Sequence, residues 1–206
     1  MCGTKSGEIS KLPVALIDIL TAHQLKEAIL LALIKRDKTG VGSYVATSLY
    51  ESAISSLANQ ASNYLNNNNI PKPLGTEHPN IAPYGEIFEC KTGEQLVLAI
   101  GTEDQFQKLI LSFDLAEQLN KGHFATNTKR IKNRNELQNI LKEKFRQLNY
   151  ATIDKTLKSK GIPFGKIKNM KEVFQDPHIA ESMILSAKNE EGKIMKTVKT
   201  IAFKMQ

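Results

Sequence analysis

The sequence has very little that would staple or anchor a fold. Only two cysteines occur in 206 residues, Cys2 and Cys90, far apart and with no metal-ligand spacing around them. That is no disulfide framework, and a reducing cytosol is the default compartment. No His-x-x-x-His or Cys-x-x-Cys pair is present, so no metal site is expected. The longest apolar stretch, Ala28 to Ile34, is much too short to span a bilayer. The N-terminal Met-Cys-Gly-Thr-Lys-Ser-Gly lacks the apolar run of a signal peptide. The expectation is a cytoplasmic protein with no membrane association. Two catalytic signatures are missing as well. No serine stands in a Gly-x-Ser-x-Gly elbow, and Gly40-Val41-Gly42 lacks the remainder of a phosphate loop.

What is present is an ordinary globular composition in a chain long enough to bury a sizeable core. The net charge of +7 is compatible with anionic ligands, although most basic surfaces only keep a protein soluble. The basic run "TKRIKNRNELQNILKEKFRQ" interleaves its cations with Glu136 and Glu143 and carries an apolar stripe. It reads as a solvated helix face, and no nucleic acid is expected as a partner.

Along the chain, Ile19 to Lys35 is helical and apolar on nearly every side, the signature of a helix buried in a layered core. Gly40 and Gly42 stop it, with Lys35 and Arg36 in a last turn where cations suit the macrodipole. "SYVATSL" reads as a short strand and "YESAISSLANQASNYL" as one helix with a small-residue face. The Asn- and Pro-rich "NNNNIPKPLGTEHPNIAPYG" is a long connector that holds a domain boundary.

Beyond it, "EIFEC" and "QLVLAI" form a hairpin. Thr102 and Gln105 are in capping-box register, and Leu137, Leu141, Phe145 and Leu148 form the buried stripe of a longer helix. "PFGKIKN" is a short strand and "MKEVFQDPHI" a helix stopped at Asp176-Pro177. Two strands around an Asn-Glu-Glu-Gly turn close the chain. The fold class is α/β.

Asp18 is the one suggestive carboxylate. By spacing alone it is a helix cap. Ile17 and Ile19 on either side also suit a partly desolvated nucleophile or base at a helix N-terminus. Thr21 and Gln24 offer a capping box of their own, which would leave Asp18 free of that duty. His23, His78 and His178 are lone histidines with bland explanations.

The segment "LPVALIDILTAHQLKEAILLALIKRDKTGVGSYVATSLYESAI" resembles the family III CoA-transferases, the group of formyl-CoA transferase, carnitine CoA-transferase and α-methylacyl-CoA racemase. The shared features are an Asp ending an apolar approach, a buried helix, and a close in Arg36-Asp37-Lys38-Thr39-Gly40-Val41-Gly42. The likeness continues through "GTEHPNIAPYGEIFECKTGEQLVLAIGTEDQF" and resumes at "KGIPFGKIKNMKEVFQDPHI".

The resemblance implies that residues 1–82 are the second part of a Rossmann-like, CoA-binding large domain and that 83–183 are a smaller α+β domain. Residues 184–206 would return towards the large domain. It makes Asp18 the catalytic nucleophile, acting through mixed-anhydride and aspartyl-CoA thioester intermediates, and sets Leu49 beside the CoA site. It implies an acyl-CoA and a carboxylic acid acceptor as substrates, CoA passing through rather than staying bound, and an interlocked homodimer. The family's N-terminal half and C-terminal end have no counterpart here, so a fragment or split-gene product that pairs with a separate N-terminal half is expected. No counterpart of the Gly-rich flap of formyl-CoA transferase lies between Leu65 and Tyr84, which argues against oxalate and formate. Racemases of the superfamily use the corresponding Asp as an acid/base, and a non-catalytic assembly piece is the third alternative.

Overall fold

The structure, a computed structural model, describes residues 2–120 and 122–203. The chain divides into two compact units, Met1–Pro79 and Asn80–Gln206.

The first unit carries three helices, α1 (Leu16–Thr39), α2 (Leu49–Ser55) and α3 (Asn59–Asn67). The long apolar helix forms as expected, but it buries none of its residues. Ile29, Leu30, Leu31, Leu33 and Ile34 are all exposed. The expected burial requires a second layer, and no strand lies in this unit among the described residues. For the same reason "SYVATSL" is extended chain and helix start, not a strand. β-branched residues make a strand only where a neighbour offers a ladder. Ser52 is the one buried residue of the unit among those described.

The helix expected over "YESAISSLANQASNYL" is broken into α2 and α3. Ser55 and Ser56 turn their hydroxyls back to the carbonyls of Ser52 and Ala53, at 2.9 and 2.8 Å. Such local bonds compete with the helical ladder, and Ala58 then takes a positive φ of 49°.

The second unit has a conventional core. Strands β1 (Tyr84–Glu89) and β2 (Gln95–Ala99) are followed by helices α4 (Glu103–Ser112), α5 (Ala116–Leu119), α6 (Asn127–Lys132), α7 (Arg134–Arg146) and α8 (Tyr150–Ser159). Strand β3 (Phe164–Lys166), helices α9 (Met170–Phe174) and α10 (Pro177–Met183), and strands β4 (Ile184–Lys188) and β5 (Ile194–Val198) complete it. The antiparallel sheet runs β1-β2-β3. At the β1–β2 turn the Cys90 amide donates to the Glu94 carbonyl at 2.8 Å, and Gly93 supplies a φ of 88° that suits glycine.

Period-2 alternation sends Phe88, Leu96 and Leu98 inward, where they meet Leu137, Leu141 and Phe145 from α7. Phe145 packs edge-on against Phe88 and Phe113, each with centroids 5.2 Å away. Each fully buried side chain of this size contributes about 1.5–3 kcal/mol. The capping box of α4 is present: the Gln105 amide donates to Thr102 Oγ1, and the Thr102 amide to Gln105 Oε1, both at 3.2 Å. Pro177 does more than stop a helix, because it opens α10 at the first helical position. The closing strands β4 and β5 pair in register around Asn189–Gly192, with both faces largely exposed.

Candidate active site

Helix α1 begins at Leu16 after Ala15, which offers no side-chain cap. Asp18 is therefore not the cap but the third residue of the helix, in its first turn. There a carboxylate faces free backbone N–H groups and the positive end of the macrodipole. Its side chain is exposed and makes no hydrogen bond or ion pair among the described residues. The isoleucines beside it do not desolvate it within this chain, since Ile17 is half-buried and Ile19 exposed.

The expected Thr21–Gln24 capping box is absent because the helix starts five residues earlier than Thr21. The Thr21 hydroxyl instead donates to the Ile17 carbonyl at 2.8 Å. Gln24 has a different task, invisible to spacing. Its amide donates to Ser55 Oγ at 2.9 Å and accepts from Ser52 Oγ at 3.3 Å, tying α2 onto α1. An isolated Gln on an apolar helix and a Ser-rich partner were the only signals for this network.

The other end of α1 closes as its glycines require. Gly40 is left-handed at φ 70° and its amide donates to the Arg36 carbonyl at 2.8 Å. Lys35 Nζ then reaches Ser43 Oγ at 3.2 Å, folding the Thr-Gly-Val-Gly turn back along the helix. Between α1 and this return lies a cavity of about 240 Å³ lined by Ile29, Ala32, Leu33, Arg36, Ser43 and Val45. Ser48 caps α2, accepting from the Glu51 amide at 3.2 Å and donating to the Glu51 carboxylate at 2.7 Å. Leu49, expected beside CoA, opens α2 and is 54% exposed.

The histidines hold no ligand set: His23 faces Lys26, His78 faces Asn59, and His123 faces Glu136. Among the described residues no group of three or more metal-ligating side chains is present. No helix among them is long and apolar enough to cross a membrane.

The basic run departs from the solvated face expected of it. Arg130 and Arg134 are buried. Arg130 forks onto both oxygens of Glu103 at 2.8 Å and lies 4.1 Å from the Phe106 ring centre. Arg134 pairs with Glu86 at 3.1 Å. The Arg130 guanidinium, through its hydrogen bonds, holds the Glu103 carboxyl below its ordinary pKa. Burial and the neighbouring Asp154 push the Tyr150 hydroxyl up to about 12.

These features define a mixed α/β protein with one free carboxylate at the head of a long apolar helix. The chain belongs to CoA-transferase family III, whose family model matches residues 1–206. It is 33% identical over 177 residues to the succinyl-CoA:glutarate CoA-transferase of Homo sapiens, covering 86% of this chain and 40% of that protein. It is 30% identical over 199 residues to the succinate–glutarate CoA-transferase of Agrobacterium fabrum, covering 96% of this chain and 49% of that one. A crystal structure of a CaiB/BaiF family protein from Brucella suis is 34% identical, with a TM-score of 0.70 over 98% of this chain and 52% of its own. The chain thus spans about half the length of the curated relatives it matches.

Proposed function

We propose that the protein to which this chain contributes transfers CoA from an acyl-CoA donor such as succinyl-CoA to a dicarboxylic acid, with Asp18 as the nucleophile. The observation that carries the role of Asp18 is its exposed, unpaired carboxylate in the first turn of α1. The donor and acceptor class follows the names of the relatives.

In this mechanism a carboxylate oxygen of Asp18 attacks the thioester carbonyl and expels CoA thiolate, leaving a mixed anhydride. The thiolate attacks the aspartyl carbonyl and releases the donor acid, leaving an aspartyl-CoA thioester. The acceptor carboxylate then attacks that thioester and expels thiolate again. Attack of the thiolate on the acceptor's carbonyl yields the new acyl-CoA and regenerates Asp18. A carboxylate is a weak nucleophile in water, so it must be enclosed against the thioester. Backbone N–H groups at the head of α1 would stabilise the oxyanions.

Since Asp18 and the apolar surface of α1 are exposed here, the enclosure comes from the remaining length seen in the relatives. That length would lie in the rest of a longer protein or in a separate N-terminal half, and the assembly would be an interlocked homodimer in the cytoplasm. Residues 1–82 would then belong to the CoA-binding domain with Leu49 beside CoA, 83–183 to the small domain, and 184–206 to the return.

The test is intact-protein mass spectrometry with succinyl-CoA and other acyl-CoAs, with and without an added N-terminal half, trapping with hydroxylamine. A hydroxamate on Asp18, lost in Asp18→Ala, is the expected result. Exchange of the α-proton of a branched acyl-CoA without any adduct would replace the transferase by a racemase. Silence in both assays with the reconstituted pair would leave an assembly piece.

A further inference from the structure

Helix α1 is apolar on nearly every side, yet its half-buried positions fall on one stripe. They are Ile17, Leu20, Thr21, Gln24, Ala28 and Ala32, spaced as a single helix face. On this stripe, among the described residues, only the Gln24 amide makes a side-chain hydrogen bond outside α1. The Thr21 hydroxyl stays within the helix, on the Ile17 carbonyl.

The Gln24 amide is held at both ends by α2. Ser55 Oγ donates to the Ser52 carbonyl at 2.9 Å, so it accepts from Gln24 Nε2, also at 2.9 Å. Ser52 Oγ donates to Gln24 Oε1 at 3.3 Å, which leaves it as the acceptor for Thr47 Oγ1 at 3.4 Å. The hydrogens thus run in one direction, from Thr47 to Ser52 to Gln24 to Ser55. A hydroxyl has a single hydrogen to give, and an amide has a donor end and an acceptor end. Ser52 is fully buried, so breaking the chain strands a hydroxyl away from water.

Apolar contacts carry no such direction. Burial along Ile17, Leu20, Ala28 and Ala32 is favourable at many offsets, and by itself it leaves the axial position of α2 weakly specified. A single polar group in an apolar seam is a well-attested device for fixing register, even where it adds little stability.

We infer that Gln24 is a positioning residue, a register pin that fixes where α2 lies along the helix carrying Asp18. The inference rests on the reading of Asp18 as nucleophile and of Leu49 beside CoA. Gln24 follows Asp18 by less than two helical turns, and Ser52 follows Leu49 by less than one. A slip of α2 by one residue would carry Leu49 about 1.5 Å along its axis. That changes the wall offered to CoA and leaves Asp18 in its own first turn. Substrate binding suffers, and the chemical step much less.

The test pairs hydrogen exchange on the full chain with kinetics of the chain reconstituted with an N-terminal half. The Ser52 and Ser56 amides donate to the Ser48 and Ser52 carbonyls at 3.0 and 3.2 Å and should be protected in the parent. In Gln24→Met, close in size but without the amide, they should exchange at least about tenfold faster. The KM for succinyl-CoA should rise at least about fivefold, while the rate of Asp18 hydroxamate formation at saturation stays within about twofold.

A triple variant, Gln24→Met with Ser52→Ala and Ser55→Ala, separates register from stability. Removing the partners together leaves no stranded group, so it should unfold in urea at the parent midpoint and still show the raised KM. A parent-like KM in the triple variant would mean that packing alone places α2, and would overturn the inference. Unchanged exchange in Gln24→Met would overturn it as well. A reconstituted parent that forms no hydroxamate would instead remove the nucleophile reading, with the pin then decided by the exchange rates alone.

Discussion

Helices α1 and α7 make an instructive pair. Both are long, both end in basic residues, and α1 is by far the more apolar. Yet α7 buries Leu137, Leu141 and Phe145 completely, whereas α1 buries nothing. The difference lies in neighbours rather than in the helices. Helix α7 packs on β1, and its apolar stripe joins a core cluster shared with residues of α4 and α8, all supplied by the same unit. Among the described residues helix α1 meets α2 along a short polar seam of Gln24, Ser52 and Ser55. Apolar content gives a helix the capacity for burial, and burial itself needs a second layer.

The largest expected effects come from making the same change in both helices. Leu141→Ala should lower the unfolding free energy by about 3–5 kcal/mol, the cost of a cavity in a packed core. Leu31→Ala, at a side chain 60% exposed, should stay within about 0.5 kcal/mol. Urea denaturation of both variants checks this, and equal losses would mean that α1 is covered in solution. The contrast should narrow when an N-terminal half is added. Leu31→Ala would then weaken the complex, read as a lower yield on co-purification, whereas an unchanged yield would leave the apolar surface of α1 without that role.

Arg134→Ala comes next, at about 3 kcal/mol, because it removes the guanidinium that pairs with the buried Glu86 carboxylate. Thr102→Ala, which removes the cap of α4, should cost about 1 kcal/mol by the same denaturation. A loss under a few tenths would show the capping box to be incidental.

The smallest effect is a dependence on pH. Glu103 titrates below its ordinary value because Arg130 hydrogen-bonds its ionised form. Its stabilisation is therefore present above the ordinary carboxylate pKa and is lost as pH falls through the depressed one. Glu103→Gln should flatten that part of the acid unfolding curve. An unchanged acid limb would show that the pair has no net worth in water, as is common for a partner that is more than half exposed.

The second unit was legible where local chemistry and packing agree. The hairpin, the capping box on Thr102 and Gln105, and the Leu137–Leu141–Phe145 stripe are each specified within a few residues and satisfied by near neighbours. The first unit was legible only in part. Helix α1 and its glycine stop formed as read. The "SYVATSL" strand did not, because a strand needs a partner that the described residues do not offer.

Arg130 and Arg134 were misread because sequence spacing shows a basic run. It does not show that Glu103, 27 residues before Arg130, and Glu86, 48 before Arg134, fold back onto two of its cations. At the candidate site, spacing named Asp18 but assigned the wrong duties around it. Asp18 is not the cap, and Thr21 and Gln24 form no capping box.

The amino-acid sequence by itself determined the family, the position of the one suggestive carboxylate, the glycine stop of α1 and the cap of α4, since these depend on contiguous residues and on the backbone's own hydrogen-bonding needs. Only the tertiary structure decided which apolar faces are buried and which arginines leave water. Those outcomes depend on groups tens of residues apart meeting in space, and no local pattern encodes whether the partner is there.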